Sequence, residues 1–200
     1  MVKPYNDLPG GKKEQVSQMF DSIAPKYDFL NHFLSLGIDK LWRKRVVSML
    51  RKKNPAKILD IATGTGDLAI ATSKIDGAEI TGIDISEKML MIGQHKIQKL
   101  ELSQRINLLP GDSEKINFPD NSFDAITAAF GVRNFEDLSA GLLEMYRVLK
   151  PKGTVVILEF SKPSVFPVKQ LYFIYFKYLL PFSSTILSNS NKSKSELIIK

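Results

Sequence analysis

The chain has 200 residues, 44% of them hydrophobic, which is enough for one domain with a sizeable core and too few for two. It contains no cysteine, which excludes disulfide bonds, thiolate zinc sites and cysteine nucleophiles, and its two histidines are far apart in sequence, so we expect no metal site. The formal net charge of +7 indicates attraction to an anionic partner, either nucleic acid or an acidic lipid surface.

The N-terminal part predicts a flexible arm followed by a helical cap. Residues 1–13 are polar and contain two prolines and a glycine pair, as in a flexible arm. Apolar residues at helical spacing then predict three helices within residues 14–53, and the first of them should end before Pro25. Because this region precedes the first strand, it can only cap the sheet or cover a ligand.

Residues 57–160 predict an α/β core. Short apolar runs indicate strands over 58–61, 79–84, 106–109, 123–130 and 154–160. Helical patterns lie between them, over 68–74, 86–99 and 135–149, with Ser86 as an expected N-cap. This alternation favours a mainly parallel, Rossmann-like sheet.

Ligands of such sheets bind at the carboxyl ends of the strands. The residues expected there are Ala62 to Gly66, Asp84, Asp112 with Ser113, Ala129 to Asn134, and Glu159. Gly64 and Gly66 follow the first strand, and glycine at those positions lets a ligand approach the backbone beside a helix start. We therefore interpret residues 62–66 as a ligand-binding turn.

Two cofactor classes suit this turn. Its pattern from Gly64 to Ala69, with Asp84 about 20 residues further on, fits a dinucleotide fingerprint. However, Asp60 and Asp67 flank the turn, and carboxylates repel a phosphate at short range. An acidic turn favours a cationic cofactor without phosphate, such as S-adenosyl-L-methionine, whose ribose hydroxyls could donate to Asp84. The alternative is a purely structural role, in which the two acids only cap the helix and the loop.

Several longer segments resemble the UbiE/MenG family of C-methyltransferases, which act in menaquinone and ubiquinone biosynthesis. The resemblance extends from about residue 12 to residue 182. It is carried by Met19-Phe-Asp-Ser-Ile-Ala-Pro-Lys-Tyr-Asp28, Ile58-Leu-Asp-Ile-Ala-Thr-Gly-Thr-Gly-Asp67, Gly82-Ile-Asp-Ile-Ser86, Phe118-Pro-Asp-Asn-Ser-Phe-Asp124, Phe130-Gly-Val-Arg-Asn134 and Arg147-Val-Leu-Lys-Pro-Lys-Gly153. The glycine turn alone would indicate only a class I methyltransferase, whereas the first and fifth segments are far more specific.

The resemblance implies a class I S-adenosylmethionine-dependent fold and assigns cofactor contacts to Thr63, Asp84, Asp112 and Ser113. The implied reaction is methyl transfer to a ring carbon of a prenylated quinol, which converts demethylmenaquinol to menaquinol and could include the benzoquinol step of ubiquinone synthesis. No metal is required. A short-turn N-cap remains an equal alternative for Ser113.

Candidate catalytic residues follow the fourth strand or lie in the cap. Arg133 and Asn134 could stabilise a developing oxyanion, and Tyr27, with Asp28, could orient the ring or relay a proton. Two non-catalytic alternatives remain open: Arg133 could form a surface ion pair, and Tyr27 could pack in the core. His32, among apolar neighbours, is more often a packing or surface residue than a base.

The C-terminal part suggests contact with a membrane. Residues 165–182 are strongly apolar, too short to span a bilayer and long enough to lie against one, although a packed helix, a lid or a subunit contact suits them as well. The basic clusters at 43–45 and 51–53 could add attraction to anionic lipid or form a solvated face. We therefore expect a cytoplasmic protein that meets the inner face of the membrane, with a homo-oligomer left open.

Residues 183–200 form a polar tail, which we expect to be disordered. We thus expect a single methyltransferase domain over residues 1–182. Because members of the family continue well beyond this length, we expect their C-terminal strands to be missing, which would expose the fifth strand as a sheet edge and reduce stability and activity. The alternative is that another subunit covers this edge.

Two other functions remain open. One is a methyltransferase acting on RNA or another small molecule, although the chain lacks the Asn-Pro-Pro-Tyr-like motif of base-amino methyltransferases, so we expect no nucleic-acid partner. The other is a non-catalytic scaffold that binds the cofactor within a quinone-synthesis complex.

Overall fold

The computed structural model describes residues 11–161 of the chain. Three predictions lie outside these residues: nearly all of the arm over 1–13, the apolar helix over 165–182 and the polar tail over 183–200. Within residues 11–161, no helix combines the length and the apolar character that crossing a bilayer requires.

Five parallel strands form one sheet in the described residues. They are β1 (Lys57–Ile61), β2 (Glu79–Asp84), β3 (Ile106–Pro110), β4 (Phe123–Ala129) and β5 (Leu149–Leu158). The strand order is β3-β2-β1-β4-β5, and every neighbouring pair is parallel. The predicted α/β fold with a parallel sheet is confirmed.

The helices are α1 (Lys12–Leu34), α2 (Ile38–Arg51), α3 (Asp67–Thr72), α4 (Glu87–Lys99) and α5 (Leu138–Val148), with a short 3-10 turn at Val132–Asn134. Ser86 caps α4 as predicted, because its hydroxyl accepts the N–H of Met89 at 3.3 Å. The fifth strand begins five residues before the predicted start, at Leu149, and pairs with Phe123 there.

Alternating residues of β1 serve the two faces of the sheet. Ile58 packs with Val46, Leu50 and other residues on the side of α2, α3 and α4. Leu59 and Ile61 pack on the opposite side with apolar residues of α5. All three of these β1 side chains are fully buried, so the turn that follows β1 is anchored in the core of the sheet.

The predicted break before Pro25 is wrong, because α1 continues through this proline as one helix of 23 residues. Pro25 removes one backbone donor, which normally ends or kinks a helix. Here α1 is held by side-chain contacts on both sides of the proline: Asp21 accepts from Ser86, and Asp28 accepts from Thr65. Tertiary contacts therefore override the local preference.

Helix α4 approaches the turn after β1 closely because Gly93 has no side chain. A Cβ at this position would lie 3.0 Å from the backbone carbonyl carbon of Thr65 and 2.6 Å from Cδ1 of Leu108. The leucine could move, but the Thr65 backbone belongs to the turn. Gly93 thus fixes the distance between α4 and the turn.

Replacement of Gly93 by alanine should lower the free energy of unfolding by about 1–3 kcal/mol through overpacking. The direction of this change is informative, because replacing glycine by alanine inside a helix normally stabilises the protein by about 1 kcal/mol. Urea unfolding measures the change, and Gln98→Ala at an exposed position of α4 should stay within about 0.5 kcal/mol. A Gly93→Ala protein more stable than its parent would contradict this packing.

Candidate functional site

The turn between β1 and α3 has the predicted strand, turn and helix order. Gly64 and Gly66 have φ angles of 56° and 77°, in the left-handed region that favours glycine. The N–H of Thr63 donates to the carbonyl of Ile83 at 3.0 Å, and the N–H of Gly66 donates to the carbonyl of Thr63 at 2.9 Å. The turn is therefore fixed to the end of β2 as well as to β1.

Asp84, at the end of β2, organises the centre of the site. Its Oδ2 accepts the N–H of Gly64 at 2.8 Å, and its Oδ1 accepts the N–H of Ser86 at 2.9 Å. Burial raises the pKa of this carboxyl group, and the backbone N–H bonds oppose that shift. One carboxylate thus connects the glycine turn to the start of α4.

A cavity of about 650 Å³, counting space open to solvent, lies at the carboxyl ends of the strands. Six predicted site residues line it: Tyr27, Gly64, Asp84, Asp112, Ser113 and Asn134. Thr63 lines a second cavity of about 370 Å³, which shares Gly64 and Tyr27 with the first. Gly66 and Arg133 are in the lining of neither.

Helix α1 covers this end of the sheet with its inward face. Val16, Phe20 and Tyr27 contribute to the wall of the larger cavity. The hydroxyl of Ser17 donates to the carbonyl of Ile85 at 3.1 Å, and the hydroxyl of Ser86 donates to Asp21 at 2.6 Å. The sequence left two roles for this region, to cap the sheet or to cover a ligand. In the structure, α1 covers the cavity directly.

Lys13, in the first turn of α1, is a cavity residue that sequence reasoning missed. Its ammonium group lies 2.6 Å from Oδ2 of Asp112 and 3.1 Å from Oε2 of Glu114. Burial lowers its pKa, but the two carboxylates outweigh burial and leave the pKa raised. The lysine was assigned to the flexible arm, and no local pattern indicates that it pairs with a residue about 100 positions away.

Asp60 is fully buried under the turn. Its two oxygens accept hydrogen bonds from the hydroxyls of Thr63 and Thr127, each at 2.6 Å. Burial raises the pKa of Asp60 to about 6, although both hydroxyls act in the opposite direction. This acid supports the turn from below and does not present a bare charge to a ligand.

Asp67, the other flanking acid, is paired with cations from the cap and from α4. The guanidinium of Arg43 lies 3.1 Å from its carboxylate, and Lys96 pairs with it from the opposite side. Arg43 also pairs with the fully buried Asp39, and Lys96 reaches Asp28 at 2.8 Å. Two cations are thus shared among three carboxylates, so the ion pairs reduce the negative charge at Asp67 without cancelling it. The sequence alone did not indicate these long-range pairs.

His32 belongs to this ion-pair cluster. Its Nδ1 lies 2.6 Å from Asp39, and its Nε2 lies 3.7 Å from Asp67. The three side chains are close enough to ligate one ion. However, Arg43 already pairs with both carboxylates, so the charge that a metal would supply is provided by the protein. The sequence did not indicate this cluster, because only the fold brings Asp67 next to His32 and Asp39.

The three candidate catalytic residues differ in position. Tyr27 lines both cavities; burial raises its pKa, and the charges of Arg133 and Arg43 oppose that shift. Asn134 lines the larger cavity. The Arg133 side chain is 51% exposed, with its guanidinium 3.7 Å from Glu159. Arg133 is therefore an exposed residue beside Glu159, which matches the surface ion pair that the sequence left open for it.

Replacement of Asp60 by asparagine should change how stability depends on pH. The parent holds the Asp60 proton up to about pH 6 in the folded state but only to about pH 4 when unfolded. Its contribution to stability is therefore complete below pH 4 and falls by about 3 kcal/mol as pH rises through 6. Asp60→Asn should remove this loss and be the more stable protein at pH 7.

Urea unfolding at pH 4, 5, 6 and 7 measures the difference. Asp124→Asn is the matched control of opposite sign, because Lys150 and backbone donors outweigh desolvation and lower the Asp124 pKa. Its stabilisation is lost as pH falls. Parallel pH curves for the parent and Asp60→Asn would refute a buried Asp60 with a raised pKa.

Comparison with known proteins gives concordant matches. The profile of the ubiE/COQ5 methyltransferase family matches residues 9–198. Demethylmenaquinone methyltransferase of Bacteroides fragilis is 50% identical over 197 residues, which cover 98% of this chain and 80% of that protein. The ubiquinone/menaquinone biosynthesis C-methyltransferase UbiE of Geotalea daltonii is 48% identical over 185 residues, covering 92% and 79% respectively.

A similar solved structure is that of a SAM-dependent methyltransferase from Aquifex aeolicus. It superposes with a TM-score of 0.51 at 26% sequence identity, and the match covers 61% of this chain and 70% of that one. The family match spans every residue described here, including the cap, the turn and all five strands.

Proposed function

The chain belongs to the ubiE/COQ5 methyltransferase family, and on this premise we propose that it methylates a ring carbon of a prenylated quinol. It is a methyltransferase that uses S-adenosyl-L-methionine. The proposed acceptor is demethylmenaquinol, as the name of the 50% identical relative suggests. The benzoquinol step of ubiquinone synthesis is a second acceptor, suggested by the name of the 48% identical relative.

The contact between Gly64 and Asp84 carries the cofactor part of the proposal. A dinucleotide site uses the N–H groups of its glycine turn to bind pyrophosphate. Here the Gly64 N–H is already donated to Asp84, at 2.8 Å, and the carboxylate would repel a phosphate. A ribose diol next to a cation suits the same carboxylate, since two hydroxyls could donate to it.

The cavity chemistry fits the remaining parts of this cofactor. Asp112 and Ser113 offer acceptors for an exocyclic amino group, and Lys13 holds the Asp112 carboxylate in place. Ile85 and Met89 supply an apolar wall on which an adenine could pack. We propose that Thr63, Gly64 and Gly66 shape the turn on the opposite side.

S-adenosylmethionine would supply an electrophilic methyl group on a sulfonium. The residues of the chain must then orient the quinol and stabilise the oxyanion that forms as its hydroxyl proton leaves. Tyr27 is the candidate to orient the ring or to relay that proton, because its hydroxyl can accept one proton while it passes its own on to solvent. The Asn134 amide could donate to the oxyanion, and the positive charge of Arg133 would favour it.

Substrate chemistry also bears on location. A prenyl tail keeps the acceptor in a bilayer, so we propose a cytoplasmic protein that contacts the inner face of the membrane. We propose one methyltransferase domain over residues 1–182 and no nucleic-acid partner. A homo-oligomer is compatible with this proposal.

Methyl transfer from labelled S-adenosylmethionine to a chemically reduced, short-chain demethylmenaquinone analogue tests the proposed function. Label should appear on the ring carbon of the naphthoquinol, and RNA from the same cells should remain unlabelled. Cofactor binding without any transfer would support the scaffold function instead. Label on RNA alone would replace the quinol as acceptor.

Replacement of Asp84 by asparagine should weaken S-adenosylmethionine binding by about 10–100-fold, the loss of a charged hydrogen bond. The amide has one acceptor oxygen, whereas both Asp84 oxygens accept a backbone N–H. Asp124→Asn is the matched control, because Asp124 also accepts two backbone N–H groups, at the opposite end of the sheet. Titration calorimetry should show unchanged affinity for that control.

Replacement of Tyr27 by phenylalanine should lower kcat by about 100-fold, the lower range for a proton-transfer group, while the cofactor Kd stays the same. Tyr146→Phe, on the 79% exposed tyrosine of α5, should leave both unchanged. An unchanged kcat in Tyr27→Phe would assign Tyr27 to packing, where it meets Phe20 edge to face at 6.0 Å.

A further inference from the structure

We propose that the corner between α1 and α2 is a docking surface for an anionic bilayer. Large apolar side chains are exposed along this corner, with fractions between 43% and 72%: Phe29, Phe33, Leu36, Ile38 and Leu41. We call these five residues the apolar corner. This inference rests on the membrane contact of the proposed function and deepens it by naming the surface that makes the contact.

The apolar corner is continuous along the chain. Phe29 and Phe33 lie one turn apart on the outward face of α1, and their rings stack with centroids 5.7 Å apart. The chain then reverses at Gly37, whose φ is 74°. Ile38 and Leu41 follow on the first turn of α2, so five apolar groups occupy thirteen residues. A contiguous apolar patch that is exposed to solvent indicates an interaction surface.

The charges around the apolar corner identify the occupant. Four basic side chains next to the corner are exposed within residues 26–45: Lys26, Lys40, Lys44 and Arg45. Three more, Arg51, Lys52 and Lys53, are exposed at the other end of α2. The acids of this range, Asp28 and Asp39, are not exposed and are ion-paired with Lys96 and Arg43. The outer surface of this region therefore presents only positive charge.

This one-sided charge favours lipid over a second copy of the chain. An interface between two identical corners would bring like charges together, which costs free energy. An anionic bilayer offers the opposite charge at its surface and an apolar layer just below it. Arg43, which the sequence grouped with its basic neighbours, is buried against Asp39 and does not belong to this surface.

Helix α5 offers an internal comparison. It also exposes large apolar side chains, at Leu138, Leu142, Leu143 and Tyr146. Over residues 137–148, however, the exposed charged side chain is the acidic Asp137, and Arg147 is engaged by Glu144 and Asp120. An apolar patch without basic neighbours lacks the attraction to anionic lipid, so α5 serves as the matched control surface.

Docking at this corner would place the active-site cover at the membrane. The outward face of α1 carries Phe29 and Phe33, while the inward face of the same helix carries Tyr27 into the cavity. A docked α1 is therefore bounded by lipid on one side and by the site on the other. An acceptor with an apolar tail would need only a short path between the two.

Co-sedimentation of the full chain with vesicles tests the proposal. The vesicles contain phosphatidylcholine alone or with 30–40% phosphatidylglycerol, about the range that sets a strongly negative surface. The parent should bind the anionic vesicles and be released by salt. Phe29→Ser with Leu41→Ser should weaken binding by roughly tenfold or more, because two apolar anchors are removed. Leu143→Ser with Tyr146→Ser on α5 should bind like the parent.

A charge series tests the electrostatic part. Lys44→Gln with Arg45→Gln should weaken binding to anionic vesicles by about 30-fold, since each basic side chain near the surface contributes about fivefold. Lys88→Gln with Lys99→Gln removes the same net charge from exposed positions of α4. That control should retain binding within a few-fold.

Three results would overturn the proposal. Equal vesicle binding by corner and α5 variants would place the contact elsewhere. A change of oligomeric mass in the corner variants, without an effect on vesicle binding, would identify a subunit interface. A lowered melting temperature confined to the corner variants would identify burial within the chain. Methyl transfer to a soluble short-chain quinol, measured without vesicles, keeps this test separate from that of the proposed function.

Discussion

The carboxylate of Asp84 is the interaction on which the site depends. It lies where β2 ends and accepts backbone N–H groups from both Gly64 and Ser86. The glycine turn, the start of α4 and the cavity wall are thereby fixed by one side chain. Because the Gly64 donor is taken by a carboxylate, the turn offers a phosphate one donor fewer and a negative charge beside it. The fold can then present an acceptor for hydroxyl groups in the place where related folds hold phosphate.

A second set of interactions couples the cap to this turn. Asp67 is held by Arg43 from α2 and by Lys96 from α4, and Lys96 also pairs with Asp28 of α1. The side chains of Asp67, Lys96 and Asp28 are 21–30% exposed, so these pairs contribute only modestly to net stability. Their effect is that α1, which carries Tyr27 and Lys13 into the cavity, is positioned by the same charges that flank the cofactor turn.

The sequence predicted the parts of the molecule that depend on local pattern. Apolar runs gave the five strands, and the spacing of Gly64 and Gly66 gave the turn, because strand burial and left-handed φ angles require particular residue types. Long-range contacts were not predictable in the same way. Pro25 was expected to end a helix that Asp21 and Asp28 hold together, and Lys13 was assigned to an arm although it pairs with Asp112. The net charge at Asp67 likewise depends on residues far away in the chain.

Titration calorimetry of the purified chain with S-adenosylmethionine and, separately, with NAD tests the central claim most directly. The account predicts saturable binding of S-adenosylmethionine and no heat of binding for NAD, because Asp84 occupies the turn donor that a pyrophosphate requires. Tight binding of NAD, or its competition with S-adenosylmethionine for the cavity, would contradict this account of the glycine turn.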